Sequence, residues 1–179
     1  MPPLKARNVE MMRRRSAARL AAVQALYQID ITGAAPDCII RDILEQRIAN
    51  LALAEDAVSA REIPVPLVAP DASLFSLLIG TAVTYEHDID VMIDRTLSGD
   101  WNPGRLETIV RCILRVGIGE LLERLDIPVR VIISEYVDVA HAFYSGSEPG
   151  LVNAVLDCLG RHIRAREFHL SELCHETPQ

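Results

Sequence analysis

"PVRVIISEYVDVAHAF", residues 128–143, decides the fold class. Its opening "VRVII" is β-branched and reads locally as a strand, since branched side chains suit a pleated surface. Over the whole stretch, however, Val129, Ile132, Ile133, Tyr136, Val137, Ala140 and Phe143 recur at helical spacing, which puts them on one face. Sixteen residues exceed the usual length of a strand, and Pro128 suits a helix start, where its missing N–H costs nothing. Length and period together predict a helix.

The flanking sequence keeps the same period. In "DWNPGRLETIVRCILRVGIGELLERLD", Asn102 is a natural N-cap with Pro103 at the first helical position, and the pattern continues to about Arg124 as the central buried helix. "SGSEPG" breaks the chain before a last helix from Pro149 to about Arg166. On the other side, Asp71 caps a long helix closed by Gly99. Its first half, "ASLFSLLIGTAV", is apolar nearly all round, and its second, "YEHDIDVMIDRTL", is amphipathic. From Arg14 to about Asp30 the stripe Leu20, Val23, Tyr27 and Ile31 predicts a core-facing first helix, with Arg15 and Arg19 at the edge of its buried face. Gly33 and Pro36 end it. A second helix then runs from about Asp37 to about Asp56 through Ile40, Ile43, Leu44, Arg47, Ile48 and Leu51. "REIPVPLVAP" packs three prolines into ten residues, denies helix and reads as an extended insertion at about 57–71. The expected organisation is a flexible basic arm over 1–12, one all-α domain over 13–166, and a polar tail over 167–179.

Half of the 179 residues are hydrophobic, enough for a sizeable core. The formal net charge of -7 hides an asymmetry. The first twenty residues hold six of the eighteen basic groups (Lys5, Arg7, Arg13, Arg14, Arg15, Arg19) and one of the twenty-five acids, Glu10, so a segment of +5 is joined to a body with twelve basic and twenty-four acidic groups, -12. Such a division points to an anionic partner for the basic end. No apolar run is long enough to span a membrane. A secretory signal fails because Arg19, Gln24 and Gln28 interrupt its apolar stretch, although the Arg-rich, nearly acid-free opening also fits the composition of a mitochondrial transit peptide. Cys38, Cys112, Cys158 and Cys174 form no CxxC pair, and the first three lie in predicted helices, where thiols pack as small hydrophobes. A reducing, cytoplasmic setting with no disulfide frame and no structural zinc follows.

Signs of catalysis are weak. Gly117 to Gly119, "GIG", sits inside a helical period and follows no strand, so it is not a nucleotide loop. Glu86, Asp90 and Asp94 stand at i, i+4 and i+8 beside His87. A carboxylate metal site is conceivable there, but a solvated acidic face is the simpler reading, and such a row of like charges would welcome a basic protein partner. His169, Glu172, Cys174 and His175 match no zinc spacing, and His87, His141 and His162 have no nucleophile placed beside them. No enzyme, metal or cofactor is expected. The basic end could be only a solubilising tail. Its last arginines, however, ride on an ordered helix, where fixed charge can track a phosphate backbone, and guanidinium groups also stack on unpaired bases, which favours RNA.

These residues resemble the NusB family. "RRRSAARLAAVQALYQID" is similar to the family's arginine-bearing opening helix, and "ILRVGIGELLERLDIPVRVIISEYVDVAHAFYSGSEPGLVNAVLDCLGR" to its C-terminal half, so that the likeness covers residues 13–30 and 74–164. The resemblance implies an all-α fold of two packed helical halves and a non-catalytic role in transcription antitermination: binding boxA single-stranded RNA together with the ribosomal protein NusE, so that RNA polymerase reads through ribosomal RNA operons. It further implies that Arg13, Arg14, Arg15 and Arg19 meet RNA, that Phe143 and the turn through Ser147 to Leu151 form a second RNA segment, and that Tyr27 faces the protein partner. The amides of Gly150, Leu151 and Val152 would receive a phosphate there, opposed by Glu148. The chain departs from the family pattern at Ser147 (commonly Asp), Leu151 (Phe), Ser134 (Asn) and Gly119 (Tyr). Leu151 removes a stacking ring, and Gly119 is expected to loosen helix packing. Two other readings stand beside this one. The first is a NusB-like module of the kind attached to ribosomal RNA cytosine methyltransferases. The second is a protein-only adaptor using Glu86, Asp90 and Asp94. The surface facing NusE could also form a homodimer.

Overall fold

A computed structural model describes residues 4–45, 51–55, 62–66, 68–97 and 106–167. The chain is all-α in class. Among the described residues it has seven helices, α1 (Leu4–Thr32), α2 (Pro36–Leu44), α3 (Ala72–Thr84), α4 (Glu86–Thr96), α5 (Thr108–Glu123), α6 (Val129–His141) and α7 (Glu148–Ile163), and one small hairpin, β1 (Leu51–Glu55) with β2 (Glu62–Pro66). It divides into two compact units, Met1–Ile79 and Gly80–Gln179, with the boundary inside α3. No helix among the described residues is long and apolar enough to cross a membrane.

In the first unit α1 begins at Leu4, so the arm expected to be flexible supplies the helix's first turns from residue 4 onward. Its buried face is Ala18, Ala22, Val23, Ala25 and Leu26, whereas Tyr27 and Ile31 are exposed and Leu20 is half-buried. The predicted stripe is therefore rotated, because the small alanines permit close approach and take the inner face in place of the larger side chains. Gly33 ends α1 at φ +65°, a left-handed stop that favours glycine, with its N–H donating to Ile29 O at 2.8 Å. Pro36 opens α2, which lies against α1 and buries Ile39. The predicted continuation of this helix to Asp56 is wrong. The helix stops at Leu44, and "LALAE" pairs antiparallel with "EIPVP" in the register Leu51↔Pro66, Leu53↔Pro64 and Glu55↔Glu62. Prolines hold the second segment extended, and the pairing overrides the helical preference of leucine and alanine, which is only a weak prior. Asp71 caps α3 as expected, its Oδ1 accepting the Leu74 N–H at 3.1 Å.

In the second unit α5 is the central element, packed by α4, α6 and α7, with every residue from Cys112 to Leu121 buried. Thr108 is its first helical residue. Asn102, Pro103 and Gly99, expected as a cap, a start and a stop, lie outside the described residues. The long helix predicted from Asp71 breaks at Tyr85 (φ −104°, ψ 20°) into α3 and α4. "GIG" is a packing device. A Cβ on Gly117 would stand 3.2 Å from Leu156, and one on Gly119 would stand 3.2 Å from Thr81. The missing side chain at 119 thus accompanies close packing against α3, not the looseness expected there. Beside it, the fully buried Tyr136 hydroxyl donates to the fully buried Glu120 at 2.8 Å. Of the three cysteines expected in the core, Cys112 is buried, but Cys38 and Cys158 are exposed.

The acidic row also has an internal answer. Arg115, on α5, grips Asp90 with Nε to Oδ1 at 2.8 Å and Nη2 to Oδ2 at 2.6 Å, and its Nη2 stands 3.2 Å from Glu86. Arg111, one turn earlier, reaches Asp94 at 3.3 Å and Asp90 at 3.5 Å. The positive charge that the sequence reading placed on a partner belongs to α5, so Glu86 and Asp90 hold α4 to α5. Burial raises the Asp90 pKa, but the two guanidinium groups outweigh burial and hold it below its ordinary 3.8. A lowered carboxyl pKa stabilises the fold above the unfolded value and loses that contribution as pH falls through the folded value. Acid titration of the native fold, followed by circular dichroism, is expected to show Asp90→Asn less stable than the parent at neutral pH, with the difference shrinking below about pH 3.8.

One end of this unit is held by a residue the sequence reading passed over. Buried Arg164, just past α7, donates from Nε to Leu121 O at 2.9 Å, from Nη1 to Ile127 O at 2.6 Å and from Nη2 to Arg124 O at 2.6 Å. It thereby joins the last turn of α5, through Leu121, to the turn that follows, where Arg124 O also accepts the Ile127 N–H at 3.1 Å. Glu167, one turn on, accepts the Val129 N–H at 2.9 Å and so caps α6, whose N-cap Pro128 offers no side-chain acceptor.

Candidate nucleic-acid interface

The arginine run lies wholly within α1, where each residue advances about 100° around the axis. Arg13 therefore faces away from the buried stripe and is exposed. Arg14, next to it, is also exposed, and its Nε donates to Ala69 O at 3.3 Å. Its own carbonyl accepts the Asp71 N–H at 3.0 Å, so the N-cap of α3 is hung from the middle of the arginine run. Arg15 is half-buried on the line of the stripe, one turn before the core begins. Arg19 is 4% exposed and belongs to the core, not to its edge.

This ordering separates Arg15 from Arg19, which the helical period placed together at the edge of the buried face. All four are ordered. Arg13, Arg14 and, in part, Arg15 present charge to solvent, while the buried Arg19 packs its stem against the core. Arg19→Ala is expected to cost about 1–3 kcal/mol of stability, read by urea denaturation, because the side chain is buried and not at the edge of the core.

The second segment lies in the other unit. The N–H groups of Phe143 and Tyr144 donate to Ala140 O at 3.0 and 2.9 Å, which winds α6 to its end and leaves Phe143 36% exposed. Ser147 is exposed at the N-cap position of α7 without a side-chain cap, Pro149 is buried and Leu151 is half-buried. Two details weaken the phosphate site expected here. The Leu151 N–H is spent on Ser147 O at 3.0 Å, and the Glu148 carboxylate folds back over Gly146, where an added Cβ would lie 2.7 Å from Oε2. The segment thus offers an aromatic face more than an anion cradle. Missing from the sequence reading was the bond from the Tyr144 hydroxyl to Glu107 Oε2, at 2.7 Å and 37 residues apart, which no local pattern announces.

On α1, Tyr27 (38% exposed) and Ile31 (61% exposed) stand four residues apart on an outward apolar strip. Among the described residues no group of three or more His, Cys, Asp or Glu side chains could hold a metal. His169, Glu172, Cys174 and His175 lie outside them.

The model of the NusB family matches residues 16–161. The transcription antitermination protein NusB of Rhodospirillum rubrum is 45% identical over 161 residues, 87% of each chain. That of Allorhizobium ampelinum is 41% identical over 163 residues, 91% of this chain and 92% of its own. Among solved structures, T. maritima NusB is 25% identical with a TM-score of 0.66, over 87% of this chain and 96% of that one. A crystal structure of antitermination factors NusB and NusE in complex with double-stranded RNA is also 25% identical, with a TM-score of 0.63, over 84% of this chain and 98% of that one.

Proposed function

This chain belongs to the NusB family of transcription antitermination factors, which are not enzymes, and on that footing we propose that it binds boxA-containing RNA together with NusE, so that RNA polymerase reads through ribosomal RNA operons. The observation that carries the reading is the solvent face of Arg13, Arg14 and Arg15 on an ordered helix, in a family where a solved relative holds both NusE and RNA. Fixed guanidinium groups release counterions from a phosphate backbone without first being ordered, and they also lie flat on unpaired bases. Phe143, in the second unit, offers a stacking face of the kind that single-stranded RNA uses, with Ser147 and Leu151 on the same turn, and that ring by itself favours the single strand over a duplex. Tyr27 and Ile31 supply an apolar strip for NusE, and the same strip would be the one to join two copies in a homodimer.

The test is fluorescence anisotropy of a boxA-containing single-stranded RNA and of the corresponding duplex, with and without NusE, across a salt series. Binding should weaken steeply as salt rises, tighten when NusE is added, and favour the single strand. An affinity indifferent to salt would remove the phosphate contacts from the reading. A protein-only adaptor, by contrast, would bind NusE and neither RNA. The acidic row no longer supports that alternative, since Arg111 and Arg115 already meet it.

A further inference from the structure

We propose that Tyr144 is a positioning residue for the Phe143 ring, acting through Glu107, an inference that rests on the RNA-binding reading above. Phe143 closes α6 on the outside of a turn that includes Gly146, and an aromatic ring at such a place is useful for stacking only if the backbone beneath it is held. The Tyr144 hydroxyl supplies the hold, donating to Glu107 Oε2 at 2.7 Å. Glu107 occupies the N-cap position of α5 with extended backbone (φ −61°, ψ 142°), yet its carboxylate makes no capping bond to its own helix. The acceptor reaches instead to the turn after α6. Because α5 is buried from Cys112 to Leu121, its start is a stiff anchor, and a charge-assisted bond from the residue next to Phe143 passes that stiffness to the ring. Tyr144 itself is half-buried and Glu107 exposed, so the latch closes at the rim of the candidate interface and not within the core.

The latch is separable from both phosphate contact and folding. Anisotropy titrations of fluorescein-labelled boxA single-stranded RNA with NusE present, over a salt series, would compare the parent with Tyr144→Phe, Glu107→Ala, Glu107→Gln, the Tyr144→Phe/Glu107→Ala pair, and Phe143→Ala and Arg13→Ala as references. Tyr144→Phe keeps the ring and loses only the hydroxyl. It and Glu107→Ala should each weaken binding about three- to tenfold, the scale of one hydrogen bond, with the salt dependence unchanged because no phosphate contact is lost. Glu107→Gln retains an acceptor oxygen and should bind as well as the parent or better, whereas mere removal of a negative charge would tighten both Glu107 variants. The double variant should be no weaker than either single one. If Phe143→Ala weakens binding while Tyr144→Phe stays within about twofold of the parent, the latch is overturned and the RNA reading stands. If Arg13→Ala weakens binding and Phe143→Ala does not, the stacking site falls and the latch with it.

Discussion

Arg164→Ala lowers the unfolding free energy by about 3 kcal/mol or more, the largest stability loss expected of a single substitution on the described surface and core. The reason lies in what the side chain leaves behind. Its three donors end on the carbonyls of Leu121, Arg124 and Ile127 at 2.6 to 2.9 Å, and truncation removes a partner from each of them at once, although Arg124 O keeps a backbone donor, the Ile127 N–H at 3.1 Å. Each unsatisfied buried group costs roughly 1–3 kcal/mol, so even partial rescue by water leaves a large deficit. Arg164→Lys keeps the charge and loses the planar fork, and it should recover less than half of the loss. Thermal unfolding followed by circular dichroism is the check. A fall of roughly 10 °C in Tm is expected for Arg164→Ala, and a fall of less than about 2 °C would show that the carbonyls find other partners.

The largest functional effect is expected of the triple variant Arg13→Ala, Arg14→Ala, Arg15→Ala. Removing three solvent-facing guanidinium groups should weaken boxA RNA binding about a hundredfold at physiological salt and reduce the slope of log affinity against log salt by about 2, given roughly 0.7 per phosphate contact on a single strand. Helix α1 should survive, because alanine is the better helix former and none of the three belongs to the buried stripe of Ala18 to Leu26. NusE binding through the strip of Tyr27 and Ile31 should be unchanged, so a pull-down of NusE by the triple variant separates loss of RNA contact from loss of fold. An unaltered salt slope would place the phosphate contacts elsewhere on the chain.

The helices of the second unit were legible because their signals are local and redundant. Pro128, the period from Val129 to Phe143, and the break at "SGSEPG" all agree with one another. Legibility failed where a long-range partner decided the outcome. "LALAE" is helical by composition and became a strand because "EIPVP" lies beside it. Arg19 looked like an edge residue because the stripe was drawn through the bulky Leu20, Tyr27 and Ile31, while the fold buries the alanines. The acidic row seemed to want a partner because Arg111 and Arg115, about 20 residues later, carry no mark in sequence of which way they face. The arginine run and Phe143 could be singled out in advance by charge, period and family likeness. The bonds that hold their surroundings, Arg14 to Ala69 and Tyr144 to Glu107, could not, because each joins distant segments through one side chain.

The suspension of Asp71 from the Arg14 carbonyl has a practical meaning for protein engineering. The segment between α2 and α3 leaves from a helix packed on α1 and returns to a residue bonded to α1, so both of its exits are fixed on the same rod. A chain held at both exits can change length cheaply, since each doubling of a loop costs only about 0.6 kcal/mol in closure entropy. Between Glu55 and Glu62, where an insertion interrupts neither paired strand, the chain is therefore a natural port for a reporter domain or an affinity tag, outside the helix that carries the arginines.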